Sequence, residues 1–153
     1  MSTQGPVRVG DRAPEFTLRD QNDNQVSLAD FRGRPVVLFF YPKDDTPGCT
    51  IESCTFRDRY AEFQALGAEL IGISSDDEAS HRRFADRHGL HYSLLADHGG
   101  KVRKAFGVPK TLGFLAGRVT YVIDRDGVVR HVFHSQLEVR KHVTQALTAL
   151  GSL

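Results

Sequence analysis

The longest apolar run in the chain is the six residues from Val36 to Tyr41, Val-Val-Leu-Phe-Phe-Tyr. Without polar alternation, such a β-rich run suits a central strand covered on both faces. Pro42 stops it. Leu70-Ile-Gly-Ile73 reads as a second buried strand, and Ser93 to Leu95 as a short third one. Between these runs the period lengthens. Thr46-Pro47 reads as an N-cap followed by proline in a first helical turn, Phe56, Tyr60 and Phe63 recur at helical spacing, and Gly67 ends the segment. Asp76 and Asp77 open another helix that closes at Gly89. A short helix is expected from about Lys101 to Phe106, and a last one from about Leu137 to Leu150.

Two hairpins complete the pattern. Phe16 to Leu18 and Gln25 to Leu28 flank a polar Asp-Gln-Asn-Asp-Asn turn, and Arg118 to Ile123 and Val128 to Phe133 flank Asp124-Arg-Asp-Gly127. Strands alternating with helices, closed by a hairpin and a helix, predict one three-layer α/β domain with a mixed sheet over residues 1–153. No internal repeat, low-complexity tract or linker interrupts it.

Charge and composition narrow the function. With 40% hydrophobic and 25% charged residues the chain has the balance of a soluble globular protein. A formal net charge of +1 gives no bulk electrostatic case for nucleic acid or a membrane surface. Acids and arginines are interleaved, as in Arg57-Asp58-Arg59, which reads as solvated surface. No run approaches the roughly 18 apolar residues of a membrane span, and the start lacks the apolar core of a secretory signal. A cytoplasmic location is therefore expected. In a reducing compartment the two cysteines point to redox or metal chemistry rather than a structural staple.

Cys49 falls in the first turn of the expected helix, where unpaired N–H groups and the positive dipole end favour an anion. A thiol there, with a cation nearby, titrates at roughly 3.5–7.5 instead of about 8.5. Thr46 is placed to bring its hydroxyl close to the sulfur. The alternative, that Cys49 is merely a small buried hydrophobe, stays open on these grounds. Cys54 follows five residues later, which excludes the C-x-x-C spacing of dithiol reductases. A zinc site needs further ligands, and the histidines offer no convincing spacing: His131 and His134 would point to opposite faces of a strand. No metal or cofactor is expected. Phosphate-loop, dinucleotide and serine-hydrolase motifs have no match.

Tyr41-Pro-x-x-x-Thr46-x-x-Cys49 resembles the peroxiredoxin active-site motif. The fuller Tyr41-Pro-Lys-Asp-Asp-Thr-Pro-Gly-Cys-Thr-x-Glu-x-Cys54-x-Phe-Arg-Asp58 is similar to the bacterioferritin-comigratory-protein branch, also called peroxiredoxin Q. The likeness extends to Gly10-Asp-Arg-Ala-Pro-Glu-Phe-Thr-Leu18, Leu70 to Ser74, Phe106-Gly-Val108, Gly117 to Asp124 and Gly127 to Phe133. It implies a thioredoxin-like fold whose mixed central sheet is flanked by helices and extended by an N-terminal β-hairpin. It also implies a thiol peroxidase acting on hydrogen peroxide and organic hydroperoxides. Cys49 corresponds to the peroxidatic cysteine and Cys54 to the resolving one, closing an intramolecular disulfide that thioredoxin or a similar dithiol reduces. Thr46 corresponds to the hydroxyl that bonds sulfur and peroxide, Pro42 to the residue shielding the pocket, and Arg118 to the cation that reaches the sulfur. Glu52 belongs to the pattern too, either complementing the helix dipole or taking part in catalysis. A monomer is expected, and the short connection from Val108 to Gly117 forms a wall of the pocket.

A magnitude constrains the mechanism. Moving a thiol from about 8.5 to about 6 raises its thiolate fraction at pH 7 roughly 30-fold, near 2 kcal/mol. Even a modest enzymatic acceleration of about 10⁶ requires roughly 8 kcal/mol. Donors aimed at the peroxide oxygens must supply most of the difference. Two other classes use the same cysteines: a peroxide sensor relaying oxidation to a partner by mixed disulfide, and a dithiol–disulfide reductase. A purely structural α/β domain would consume no peroxide.

Overall fold

In the computed structural model, which describes residues 6–111 and 115–153, the apolar run forms the middle of a seven-stranded mixed sheet. β1 (Thr17–Arg19) and β2 (Gln25–Ser27) form the N-terminal hairpin. β3 (Val36–Phe40) leads into α1 (Pro47–Asp58) and α2 (Tyr60–Ala65), followed by β4 (Glu69–Ser74) and α3 (Glu78–His88). β5 (Ser93–Ala96) and α4 (Lys101–Phe106) come next, then β6 (Lys110–Thr111) and β7 (Leu115–Ala116), paired as a small separate ribbon. β8 (Val119–Ile123), β9 (Val129–His134) and α5 (Val139–Gly151) close the chain. The order across the main sheet is β2-β1-β5-β4-β3-β8-β9. β3, β4 and β5 are parallel, and the remaining pairings are antiparallel.

Every residue of β3 is buried, as its unbroken apolarity requires. Alternate side chains go to opposite faces. Leu38 and Phe40 join Ile71, Ile73 and Tyr121 beneath α4 and the N-terminal segment. Val37, Phe39 and Tyr41 pack with Phe56, Phe63, Phe84, Val143 and Leu150 beneath α1, α2, α3 and α5. Phe39 stacks on Phe56 at 4.3 Å between ring centres, and Phe56 meets Phe63 at 5.6 Å, so the start of the site-bearing helix layer is clamped to the central strand.

The expected elements appear with three adjustments. The Phe56, Tyr60 and Phe63 segment is two helices, because the chain leaves helical geometry at Arg59 (φ −106, ψ 11). Asp77 alone caps α3, accepting from Ser80 N–H at 2.8 Å, whereas Asp76 accepts from Asp44 N–H and the Ser74 hydroxyl. α5 starts at Val139, and Leu137 stays in solvent, 89% exposed, in the turn before it. Residues 112–114 of the expected pocket wall lie outside the described residues.

Candidate active site

Pro42 ends β3 and, half-buried, begins the loop that returns the chain to α1. That loop is anchored from below. Asp44 is buried and accepts from the Tyr41 hydroxyl at 2.7 Å and the Ser80 hydroxyl at 2.8 Å, with His81 Nδ1 2.7 Å away. Asp44 N–H donates to Asp76 at 2.8 Å. Asp44, Asp76 and His81 converge closely enough to suggest metal ligands, but the hydrogen bonds just described use the same atoms. The cluster pins the loop to β4 and α3.

Thr46 holds the cap position of α1 in its backbone (φ −89, ψ 152), with Pro47 in the first turn. Its side chain does not cap. The hydroxyl donates to Lys43 O at 2.8 Å, so its proton is directed away from the sulfur that the sequence led us to expect as its partner. Cys49 is fully buried two residues into the helix, and Cys54 is half-buried near its middle; both are free thiols. Burial pushes the Cys54 thiol up, with Arg57 opposing, which keeps it protonated at neutral pH.

Arg118 arrives from the neighbouring strand. β8 pairs Val119 with Phe40, so Arg118, one residue earlier, lies beside the end of β3 where α1 begins. It is buried and donates through Nε to Gln136 O at 3.2 Å. Nη1 reaches Cys49 Sγ at 3.4 Å and Glu52 Oε1 at 2.6 Å. Burial disfavours the charged guanidinium, but Glu52 and Cys49 outweigh that and keep it protonated. A Cβ on Gly48 would lie 3.0 Å from Arg118 Nη2, so only glycine leaves the guanidinium this close to the first turn. One residue before the arginine, a Cβ on Gly117 would collide with the Pro109 carbonyl.

Glu52 is fully buried, one turn beyond Cys49 on the same helix face. Its carboxylate meets Arg118 beside the sulfur, in the second turn of α1. Burial pushes its carboxyl up to about 7, with Arg118 pulling the other way. Behind it stands His142 of α5, fully buried, with Nδ1 2.7 Å from the Thr120 hydroxyl and Nε2 2.7 Å from Ser135 O. Sequence reasoning missed His142. The one available signal was its place in the apolar stripe Val139, Val143, Ala146 and Leu150, where an imidazole must find partners. It missed Arg103 as well. That side chain is buried below the loop, donates to Tyr41 O at 3.2 Å, and has its Nε and Nη1 without partners among the described residues.

Comparison with known proteins agrees with this geometry. Residues 9–132 match the AhpC/TSA family. Peroxiredoxin Q, chloroplastic, from Oryza sativa subsp. japonica is 53% identical over 150 residues, covering 97% of this chain and 69% of the relative. The protein of that name from Suaeda salsa is 53% identical over 148 residues, covering 96% and 69%. Among solved structures, the peroxidoxin BcpB of Mycobacterium tuberculosis superposes with a TM-score of 0.89 at 39% identity, covering 96% of this chain and 98% of that one. The Xanthomonas campestris bacterioferritin comigratory protein, studied for alkyl peroxide reduction, gives 0.86 at 26% identity, covering 97% and 98%. A thioredoxin-like sheet, a buried thiol at a helix N-terminus facing an arginine, and this degree of likeness place the chain in the AhpC/TSA family, as a peroxidase of the peroxiredoxin Q branch that takes a peroxide and a thiol reductant.

Proposed function

We propose that Cys49 is the peroxidatic residue and Cys54 the resolving one, in a cycle that thioredoxin or a similar dithiol completes. The observation that carries this reading is Arg118 Nη1, 3.4 Å from Cys49 Sγ at the N-terminal turn of α1. A guanidinium and unpaired helix amides converging on one sulfur stabilise a thiolate, and they also face the oxygen on which charge develops when the peroxide bond breaks. The thiolate attacks one peroxide oxygen, the O–O bond breaks, and water or an alcohol leaves once protonated. Cys49 is left as a sulfenic acid. Cys54 then displaces water from it, and the dithiol reduces the resulting disulfide. Pro42 and Thr46 complete the pocket, and the Thr46 hydroxyl turns from Lys43 O to the substrate when peroxide enters.

The disulfide needs a change of shape. Five residues of α-helix separate the two Cα atoms by roughly 8–9 Å, whereas disulfides seldom span more than about 7 Å. Both cysteines lie on the continuous α1, so the helix unwinds between them before the bond closes. Unwinding takes the helix amides and Arg118 away from Cys49 and exposes the disulfide to the reductant.

The test is hydroperoxide consumption with thioredoxin and its reductase. Wild type turns over, and Cys49→Ser does not react. Cys54→Ser is oxidised once, stalls with thioredoxin and drifts toward sulfinic acid. Turnover by Cys49→Ser sinks the assignment, and a single oxidation of wild type with no dithiol-driven turnover favours a peroxide sensor. A monomer working in the cytoplasm remains part of the proposal, the location suiting a cysteine pair given to redox chemistry, although the plant relatives are named as chloroplastic.

A further inference from the structure

One cation at this site faces two acidic groups. Arg118 Nη1 carries two hydrogens; the sulfur of Cys49 is 3.4 Å from it and Oε1 of Glu52 is 2.6 Å from it. The other Glu52 oxygen, Oε2, is buried without a hydrogen-bond partner among the described residues and faces His142 Nδ1 at 3.6 Å. His142 donates from Nε2 to Ser135 O, so the neutral ring presents an unprotonated Nδ1, to which the Thr120 hydroxyl donates. A bare carboxylate oxygen facing the unprotonated side of the ring is an electrostatic mismatch, and no donor there offsets it because Nδ1 already takes the Thr120 hydrogen, so the buried Oε2 favours the neutral acid. The groups bearing on Glu52 are Cys49 on its own helix, Arg118 ahead of β8, His142 on α5 and Tyr92 beside β5, with His134 of β9 acting on His142. The buried Arg103 of α4 also acts on Cys49, but Arg118 is the one cation in direct contact with both acids among the described residues.

We propose that Cys49 and Glu52 hold a single proton between them, and that His142 is the positioning residue that keeps it on Glu52 while Cys49 is the thiolate. The inference rests on reading Cys49 as the peroxidatic residue. Two buried acids sharing one counter-charge titrate as a pair. Resting exchange breaks the Cys49 S–H bond and forms a Glu52 O–H bond, leaving the charge of the cluster unchanged. During attack, Cys49–S⁻ + ROOH + Glu52–COOH gives Cys49–SOH + ROH + Glu52–COO⁻. Sulfur loses two electrons to the broken O–O bond, and the alkoxide gains the proton equivalent that Glu52 releases. The Glu52 carboxylate then pairs with Arg118 just as the sulfur loses its negative charge. The buried elevation of the Glu52 carboxyl and the depression of His142 are both in the sense this requires.

The test is a pH titration of the Glu52 carboxyl, read as the infrared carboxylic-acid band of reduced protein in a Cys54→Ser background and assigned by its loss in Glu52→Gln. Cys49→Ala is expected to lower the Glu52 midpoint by about one pH unit or more, because a competing anion is removed. By linkage, Glu52→Gln shifts the pH profile of Cys49 alkylation downward by a similar amount. A Glu52 midpoint unchanged by Cys49→Ala overturns the shared proton. His142→Phe, which keeps a ring against Phe133, is expected to lower the Glu52 midpoint. Thr120→Val, which leaves Glu52 as the remaining donor to Nδ1, is expected to raise it. Movement of both in one direction overturns the role of His142. No peroxide enters these titrations, so they fail separately from the turnover assay that tests the peroxidatic assignment.

Discussion

Replacing Glu52 by glutamine changes how the stability of the fold responds to pH, with a sign that follows from the site. In the folded chain burial raises the Glu52 carboxyl to about 7 against the pull of Arg118. In the unfolded chain it returns to about 4.3. The folded state therefore binds this proton more tightly, so the contribution to stability is fully present below the unfolded value and is lost as pH rises through about 7. At about 1.4 kcal/mol per unit the whole loss is roughly 4 kcal/mol, of which about 3 kcal/mol falls above about pH 4.5. His142 works in the opposite sense. Burial lowers it to about 4, with Arg118 and His134 adding to that and the Ser135 carbonyl opposing. Its contribution is present above the unfolded value of about 6.5 and is lost as pH falls through about 4. The two windows overlap and largely cancel in the wild type. Urea unfolding from about pH 4.5 to about pH 8, with and without Glu52→Gln in a Cys49→Ala background, separates them, because the coupled thiol is gone and titrations common to both proteins drop out of the difference. The glutamine variant is expected to gain roughly 3 kcal/mol relative to its Cys49→Ala parent as pH rises across that range. A difference that stays constant, or moves the other way, refutes the assignment of a buried, raised carboxyl.

Three further outcomes follow from single contacts. Gly48→Ala places a Cβ 3.0 Å from Arg118 Nη2 and displaces the guanidinium from the sulfur, so peroxide reduction falls about tenfold or more with little change in urea midpoint. Phe56→Ala removes a fully buried ring stacked on Phe39 and is expected to cost about 3–5 kcal/mol of stability in urea unfolding. The Tyr92 hydroxyl donates to Ser53 O at 2.8 Å, a latch on the stretch that must unwind, so Tyr92→Phe should speed disulfide formation after oxidation and raise amide exchange between residues 48 and 55. Unchanged exchange there would show that the latch does not restrain α1.

Much of the fold was legible because each buried strand announces itself locally. β3 and β4 are apolar runs ended by proline or polar residues, and Gly89 supplies the left-handed turn that ends α3 (φ 63). The break at Arg59 carried no signal, since neither glycine nor proline marks it; Phe56 and Phe63 both reach the same core from either side of it. Leu137 misled because an apolar residue beside a helix reads as its first turn, whereas Ser135 and Glu138 form a turn there and expose it. At the site, Cys49 was readable from its place after a strand and a Thr-Pro cap. Arg118 came only through the family pattern, because its contact with Cys49 joins residues 69 apart and an arginine at a strand end looks like surface. The opposed states of Glu52 and His142 depend on which side chains meet across α1, β8 and α5, which no local spacing encodes.

The division of labour between the cysteines is tested most directly by peptide mapping of the reduced protein after one equivalent of hydroperoxide. Predicted is loss of both thiols in an intramolecular disulfide joining Cys49 to Cys54, with Cys49→Ser unreactive and Cys54→Ser oxidised at Cys49 alone. Oxidation first at Cys54, or a disulfide only between chains, would contradict it.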